Sequence, residues 1–418
     1  MRKIKRSRNI YRSRRQSSNS PLKIILIILL CAVLLFVGFS IAPVIMKFFS
    51  GQLKPPISSV SSNISSAGGK SSKAAVISNT NTNTNSIHGI FLPKNYIGDL
   101  NALDNAITGA KKADINFAIL DLKAEDGLLN YSSKFDLAVK NQLVAANAPD
   151  STLAVAKLKA GGITPAARIC CFKDPATSVA MRNMAVLYAS NHSYRWIDAS
   201  RNSWLNPYNN DAQQYIIDIA KEAVANGFKY IILDNVEFPS TGSPNTSGWF
   251  GDNTIPKEEQ LRVFVANATK QINAVGGKVI IHMPGMASIS QANVLTGQNQ
   301  NIFGFNADCF SPDLSPSEFG AQAVQIAGKT IISPDLTPAS TVTTTAQFIS
   351  TLGDKTKINK TIPYIQAYTN TSLGNGFYKN YTDDDINGEA DALKANGYTN
   401  FILFNPSGNY DYAGLKLK

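Results

Sequence analysis

Histidine and cysteine are scarce, at three and four among 418 residues. His88, His192 and His282 lie far apart with no HExxH between them, which excludes zincin chemistry. Cys31, Cys170, Cys171 and Cys309 make no CxxC spacing, so neither a zinc ribbon nor a disulfide scaffold is available. A GxSxG elbow, a P-loop and a GxGxxG after a strand are also missing, and with them the signatures of serine hydrolases, nucleoside triphosphatases and dinucleotide enzymes. No organic cofactor or metal is implied. The run Asp383-Asp384-Asp385 offers oxygen ligands for calcium, but acids placed before a helical apolar period belong at a helix N-terminus.

Acids are absent from the first 23 positions, which hold nine of the forty basic residues; the remaining chain has 31 bases against 29 acids. A body so nearly neutral offers no broad phosphate-binding surface, which argues against a nucleic-acid partner. The basicity belongs to a tail, and the apolar segment next to it gives the reason. Ile24–Met46 (IILIILLCAVLLFVGFSIAPVIM) is an uncharged run of 23 residues, about 34 Å as a helix and long enough to span a bilayer. A cleaved signal peptide is the competing reading, but Pro43 comes directly after the small-x-small site Ser40-Ile41-Ala42 and the run exceeds an ordinary signal core. The positive-inside rule keeps residues 1–23 in the cytoplasm and delivers the rest across a single-pass cell-membrane anchor. Residues 47–86 are rich in Ser, Asn and Thr without apolar periodicity, a flexible linker. The folded body is expected over 87–418.

In that body, β-rich apolar runs alternate with helical patterns, as parallel βα units require. Eight strands are expected at His88–Pro93, Phe117–Lys123, Pro165–Phe172, Tyr230–Val236, Lys278–Pro284, Ala307–Pro312, Ile362–Tyr368 and Asn400–Asn405. Helices are expected over Asp211–Asn226, Lys257–Val275 and Asp384–Asn396, each stopped by glycine. Eight strands with intervening helices predict an α/β fold, a (β/α)8 TIM barrel. Ile331–Leu336 reads as a ninth strand or an ordered loop, and the chain ends too soon after the last strand for a full eighth helix.

A barrel of this kind does its chemistry at the C-terminal mouths of its strands. Acids gather there: Asp121, Glu125 and Asp126 after the second strand, Asp174 after the third, Asp234 and Glu237 after the fourth, Asp308 and Asp313 around the sixth. With other chemistries excluded, paired carboxylates remain, the equipment of glycosidases. Arg168, inside an apolar strand, must pair, with Asp121 or Asp234, and would lower its partner's pKa. Asp121 and Lys123, two apart on one strand, share a face and are expected to pair at the mouth. Lys173, Asp174, Trp204, Tyr208, Gln366 and Asn405 complete the candidate sugar-binding set, the aromatics for stacking and the amides for hydroxyls. Each has a structural alternative, as a staple or tie between loops. His282 reads as a strand-end histidine with a satisfied partner.

Eight segments, from HGIFLP through ILDLKAEDG, ITPAARICCFKDP, WLNPYN, ILDNVEFPS, SPSEF and PYIQAY to FNPSGNY, resemble in order a bacterial glycoside hydrolase domain family of the TIM-barrel class, distantly similar to α-amylase-type barrels. The resemblance covers about His88 to Tyr410. It implies a glycosidase in which Asp234 is nucleophile or base and Asp313, or alternatively Asp308, is the proton donor. Asp126 is a third candidate donor, and Glu237 a second acid/base group or a solvated loop residue. The chain departs from the family at Asn235 and Glu237, where tyrosine and arginine are usual, near Glu318, where histidine is usual, and at Phe404, where tryptophan is usual. The reading is a membrane-anchored extracytoplasmic glycoside hydrolase acting on an extracellular or cell-wall polysaccharide. Its rival is a non-catalytic carbohydrate-binding module on the same barrel.

Overall fold

The computed structural model describes residues 86–291, 295–352 and 358–417. The basic tail, the anchor Ile24–Met46 and the linker up to residue 85 lie outside them. Among the described residues, no helix is long and apolar enough to cross a membrane.

Strand β2, Phe117–Lys123 (FAILDLK), is buried along its whole length, as expected of a parallel strand covered on both faces. Its neighbours are β1 (His88–Leu92), β3 (Thr164–Cys170), β4 (Tyr230–Asp234), β5 (Lys278–Met283), β6 (Cys309–Pro312), β7 (Tyr364–Gln366) and β8 (Phe401–Phe404), each within two residues of its expected bounds. All pair in parallel in the order β7-β8-β1-β2-β3-β4-β5-β6. Parallel bridges Phe310↔Thr361 and Asp313↔Tyr364 join β6 to β7 and complete the barrel. Alternation along the strands turns Phe91, Ile119, Ala166, Ile232, Ile280, Tyr364 and Ile402 inward as a packed core.

Six helices of ten or more residues surround the strands: α1 (Leu100–Lys112), α2 (Ser151–Ala160), α3 (Asn210–Ala225), α4 (Lys257–Ala274), α5 (Pro338–Thr351) and α6 (Asp383–Ala395). In α3 the Asn209 side chain caps the first turn by accepting from Ala212 N, and Tyr215, Ile216, Ile219, Ala220 and Ala223 form the buried stripe. Complete burial of a side chain such as Ile216 stabilises by about 1.5–3 kcal/mol. Gly227, at φ +99°, lets the chain turn out of the helix. Asp383–Asp385 open α6, with Thr382 and Asp385 forming a capping box.

The stretch around Ile331 forms a small antiparallel pair, Val324–Ile326 with Lys329–Ile331, followed by a 3₁₀ turn at Pro334–Leu336; it is no ninth barrel strand. An extended C-terminal segment stands where an eighth helix would. Asn387 donates to Gly414 O and accepts from Lys416 N, the Tyr412 ring lies against Gly109 of α1, and Leu417 is buried. All eight strands and the core packed on them fall between Ile87 and Leu417, so the compact unit Asn81–Lys418 contains what it needs to fold by itself.

Candidate active site

A cavity of about 380 Å³ opens at the C-terminal ends of the strands, lined on one side by Asp121, Arg168, Asp234, His282, Asp313 and Glu318. Phe91, Tyr364, Phe404 and the prolines Pro93, Pro284 and Pro406 form its apolar wall. The inward parity of the strands places the charges: Asp121 follows Ile119, Arg168 follows Ala166, Asp234 follows Ile232 and His282 follows Ile280.

Asp234 is the hub. Its Oδ2 accepts from Arg168 Nε at 2.7 Å and lies 2.6 Å from Arg168 Nη2, while Oδ1 is 2.8 Å from His282 Nδ1 and accepts from its neighbour Asn235 N at 2.6 Å. Asn235 holds φ +48°, a conformation asparagine tolerates, and turns the chain sharply out of β4 directly after the carboxylate. Burial by itself would raise the pKa of Asp234, but Arg168 and His282 overrule it and hold the carboxyl well below the usual range. The other nitrogen of His282, Nε2, stands 4.0 Å from Asp313 Oδ2. Burial opposes charge on this imidazole, but Asp234 more than offsets that and its pKa is raised.

The remaining carboxyls move the other way. Burial raises Asp313 against the opposing pull of His282 and of Ser315, whose N–H it accepts at 2.9 Å. Glu318 is pushed up to about 7, first by the charge of Asp313 and then by desolvation. Asp121, 2.9 Å from Arg168 Nη1, is also raised, because desolvation exceeds the pull of the guanidinium. Glu237 is half-buried beside the cavity, hydrogen-bonded to the Asn235 side chain, and is pushed up to about 7 by burial and then by Asp234.

Several expected site residues lie elsewhere. Asp308 precedes β6 at the opposite end of the barrel, 3.0 Å from Lys278 Nζ, because the strand begins only at Cys309; it cannot be the donor. Asp126 faces away and pairs with Lys94 at 3.0 Å. A β-bulge between Asp121 and Lys123 breaks the alternation, so they do not pair. Lys123 is instead fully buried, 2.8 Å from Asp174 Oδ2 and donating to Cys170 O, a structural pair out of a substrate's reach. Lys173 pairs with Glu125 at 2.6 Å, and Glu125 lies on the cavity rim.

The aromatic and amide candidates are ties. Trp204 donates to Asp198, and Tyr208 donates to Ile255 O and packs on Phe238. The Gln366 amide joins Ser317 N, Asp335 and Tyr368 O, and Asn405 joins Ala367 O to Asn409 O. None of these four lines the cavity. Among its acids and bases, His282 and Glu318 were not singled out as candidates from sequence, nor were Phe91 and Tyr364 of the apolar wall. His282 shares the inward parity of Asp234, a signal that was present. Glu318 sits on a 3₁₀ turn, Pro316–Phe319, where no periodicity gives its direction.

A parallel eight-stranded barrel with a carboxylate cluster at its mouth has the architecture of the glycosidase barrels. Residues 89–410 match the family model described as "Putative glycosyl hydrolase domain", and the chain belongs to that family. The glycoside hydrolase domain of PgaB (BpsB) from Bordetella bronchiseptica has a similar fold, at 13% identity over 77% of this chain and 95% of its own, with a TM-score of 0.54. A hypothetical protein from Ruminiclostridium thermocellum is 28% identical over 46% of this chain and 96% of its own, at a TM-score of 0.42. The spore cortex-lytic enzyme SleL of Bacillus megaterium is 11% identical over 79% of this chain and 72% of its own, at 0.46. No curated protein matches the chain. Family and fold together define a glycosidase-like domain.

Proposed function

We propose that the barrel hydrolyses O-glycosidic bonds of a polysaccharide outside the cytoplasm, with Asp234 as the ionised carboxylate and Asp313 as the proton donor. One observation carries the reading: carboxyls in a single cavity are driven apart in pKa, Asp234 downward by Arg168 and His282, Asp313 upward by burial, and Glu318 upward by the charge of Asp313 and by burial. That separation is what acid-assisted glycoside cleavage requires, an acid for the leaving oxygen and an anion facing the positive charge that develops at the anomeric carbon. Asp313 and Glu318 stand close enough to disfavour a second negative charge, so the pair retains one proton between them. The apolar wall of Phe91, Tyr364 and Phe404 supplies surface for a sugar face. Ile24–Met46 would hold the barrel to the membrane, placing a cell-wall or extracellular glycan within its reach.

The non-catalytic binding module is favoured by one feature: Asp234 is already engaged on both oxygens, by His282 and Asn235 N at Oδ1 and by Arg168 Nε at Oδ2, with Arg168 Nη2 2.6 Å from that same Oδ2, so neither oxygen faces the cavity unencumbered. Catalysis by Asp234 as nucleophile or base therefore requires His282 or Arg168 to yield a position when substrate binds. Asn81–Lys418 as wild type, Asp234→Asn and Asp313→Asn, incubated with a panel of polysaccharides and cell-wall glycans, separates the two readings. New reducing ends from wild type only are expected. Glycan retention by all three proteins with no release would leave the binding module as the correct account.

A further inference from the structure

We propose that a second groove at the barrel mouth binds an anionic saccharide, a glycan segment bearing carboxylates or phosphates. The loop after β3 is long and folds into a hairpin, Leu187–Tyr188 with Asn191–Arg195, to which Gly248–Trp249 from the loop after β4 adds a third antiparallel strand. Both loops leave the C-terminal ends of their strands, so this small sheet belongs to the same end of the barrel as the carboxylate cavity. Its groove, about 790 Å³, is lined by Arg182, Arg195, Tyr188 and Tyr194, with Asn191 and Ser193, and by no carboxylate.

The two arginines are held but not neutralised. Arg182 Nη1 donates to Ser193 O at 2.8 Å and Arg195 Nη1 to Ser203 Oγ at 3.1 Å. Each bond fixes a guanidinium while using one of its five N–H donors. Among the described residues neither arginine is in an ion pair. Two like charges share a groove on a body whose charges nearly cancel, and a carboxylate or phosphate group is the ligand that guanidinium groups hold by charge-assisted, bidentate contacts. Tyr194 is 64% exposed and lies in the groove lining with Tyr188. With Tyr188 it offers a flat apolar face with a polar tip, suited to a sugar ring.

The platform is also preorganised. Trp196 is fully buried and donates to Ser247, and Asp198 gathers Ser200 N, Asn202 N and the Trp204 indole. The Trp204 expected to stack on sugar thus supports the loop that carries the groove. Choosing a saccharide over another anion rests on the glycosidase reading; the preference for negative charge does not.

Affinity electrophoresis of Asn81–Lys418, which lacks the basic tail, tests the site in gels containing polygalacturonate, a glycosylated poly(ribitol phosphate) or neutral dextran. Retardation is expected in one or both anionic gels and not in dextran, and which anionic gel retards the protein distinguishes carboxylate from phosphate. The double variant Arg182→Ala/Arg195→Ala is expected to bind on the order of tenfold more weakly or less. Arg182→Lys/Arg195→Lys, which preserves charge and hairpin, should fall between, and its near-UV circular dichroism should match wild type. Asp234→Asn should be retarded like wild type; if it alone loses retardation, the carboxylate cavity is the binder and the proposal fails. It fails equally if the double alanine variant is unchanged, or if no anionic glycan retards the wild type. Retardation in an anionic gel together with no release of reducing ends across the whole polysaccharide and cell-wall panel would instead remove the glycosidase reading and leave the anionic site standing.

Discussion

At the residue scale, the site is governed by which charges are allowed to face each other. Glu318 owes its raised pKa first to Asp313, so the pair retains one proton well above the ordinary carboxyl range. Hydrolysis is therefore expected to decline as pH rises through about 7, where Glu318 ionises. Glu318→Gln removes one negative charge and should move that alkaline limb of kcat/KM to lower pH with the acid limb unmoved; a limb that stays in place assigns the donor's pKa to another group. The same shift has a stability sign. Between the ordinary glutamate value of 4.5 and about 7, the unfolded chain has released a proton that the folded chain keeps at Glu318, so stability falls as pH climbs through that window. His282 acts in the same direction: its raised pKa stabilises fully below about 6.5 and is lost as pH rises through the folded value. Lys123 and Asp174 show the same logic without chemistry. Both are fully buried, so Lys123→Met strands a buried carboxylate and should cost about 3–5 kcal/mol in urea unfolding, with much of it recovered by adding Asp174→Asn.

At the scale of elements, the barrel solves its last segment without a helix. The outer face of a barrel is ordinarily covered by amphipathic helices, yet here an irregular C-terminal segment touches α1 through Tyr412 and α6 through Gly414 and Lys416, and buries Leu417. Tyr410 OH lies 2.9 Å from Phe91 O of β1 and 3.0 Å from Leu403 O of β8, which share its one proton, and accepts from Phe91 N and Asn405 N, tying the first strand to the last. Deleting residues 411–418 should lower Tm while leaving the far-UV circular dichroism nearly unchanged, since no helix or strand is lost. Deletion with no change in Tm would show that the tail's burial contributes nothing to stability. The loops after β3 and β4 are elements of a different kind: they pair with each other rather than with the barrel, and they add surface at the mouth without altering the strand register.

At the scale of the whole molecule, the composition divides the chain into a basic tail, an apolar run, a polar spacer and a nearly neutral body. The expected outcome is a protein that stays with membranes through carbonate extraction and whose barrel, in intact cells, is cleaved by external protease while the tail is protected. Release of a shortened chain beginning near residue 43 would mean that the apolar run is a cleaved signal instead.

The eight strands were legible because a parallel strand buried on both faces must be a short, continuous run of β-branched and apolar residues, and eight such runs separated by helical periods admit few folds. The same local alternation pointed Asp121, Arg168 and Asp234 into the mouth. What local pattern could not decide is where a strand starts, where it bulges and what crosses from another strand. Asp308 fell to the wrong end because it stands where β6 enters the barrel, whereas Asp313 follows the strand's C-terminal end, and Lys123 left Asp121 because of a bulge. Trp204 and Gln366 looked like sugar ligands because an indole or amide carries the same donors whether it meets a hydroxyl or a neighbouring loop. Glu318 enters the cavity from a 3₁₀ turn with no period. Alternation and burial act between neighbours in the chain and are written in it, whereas the pairing of Asp234 with Arg168 and His282 joins three strands, and only the closed barrel brings them within hydrogen-bonding distance.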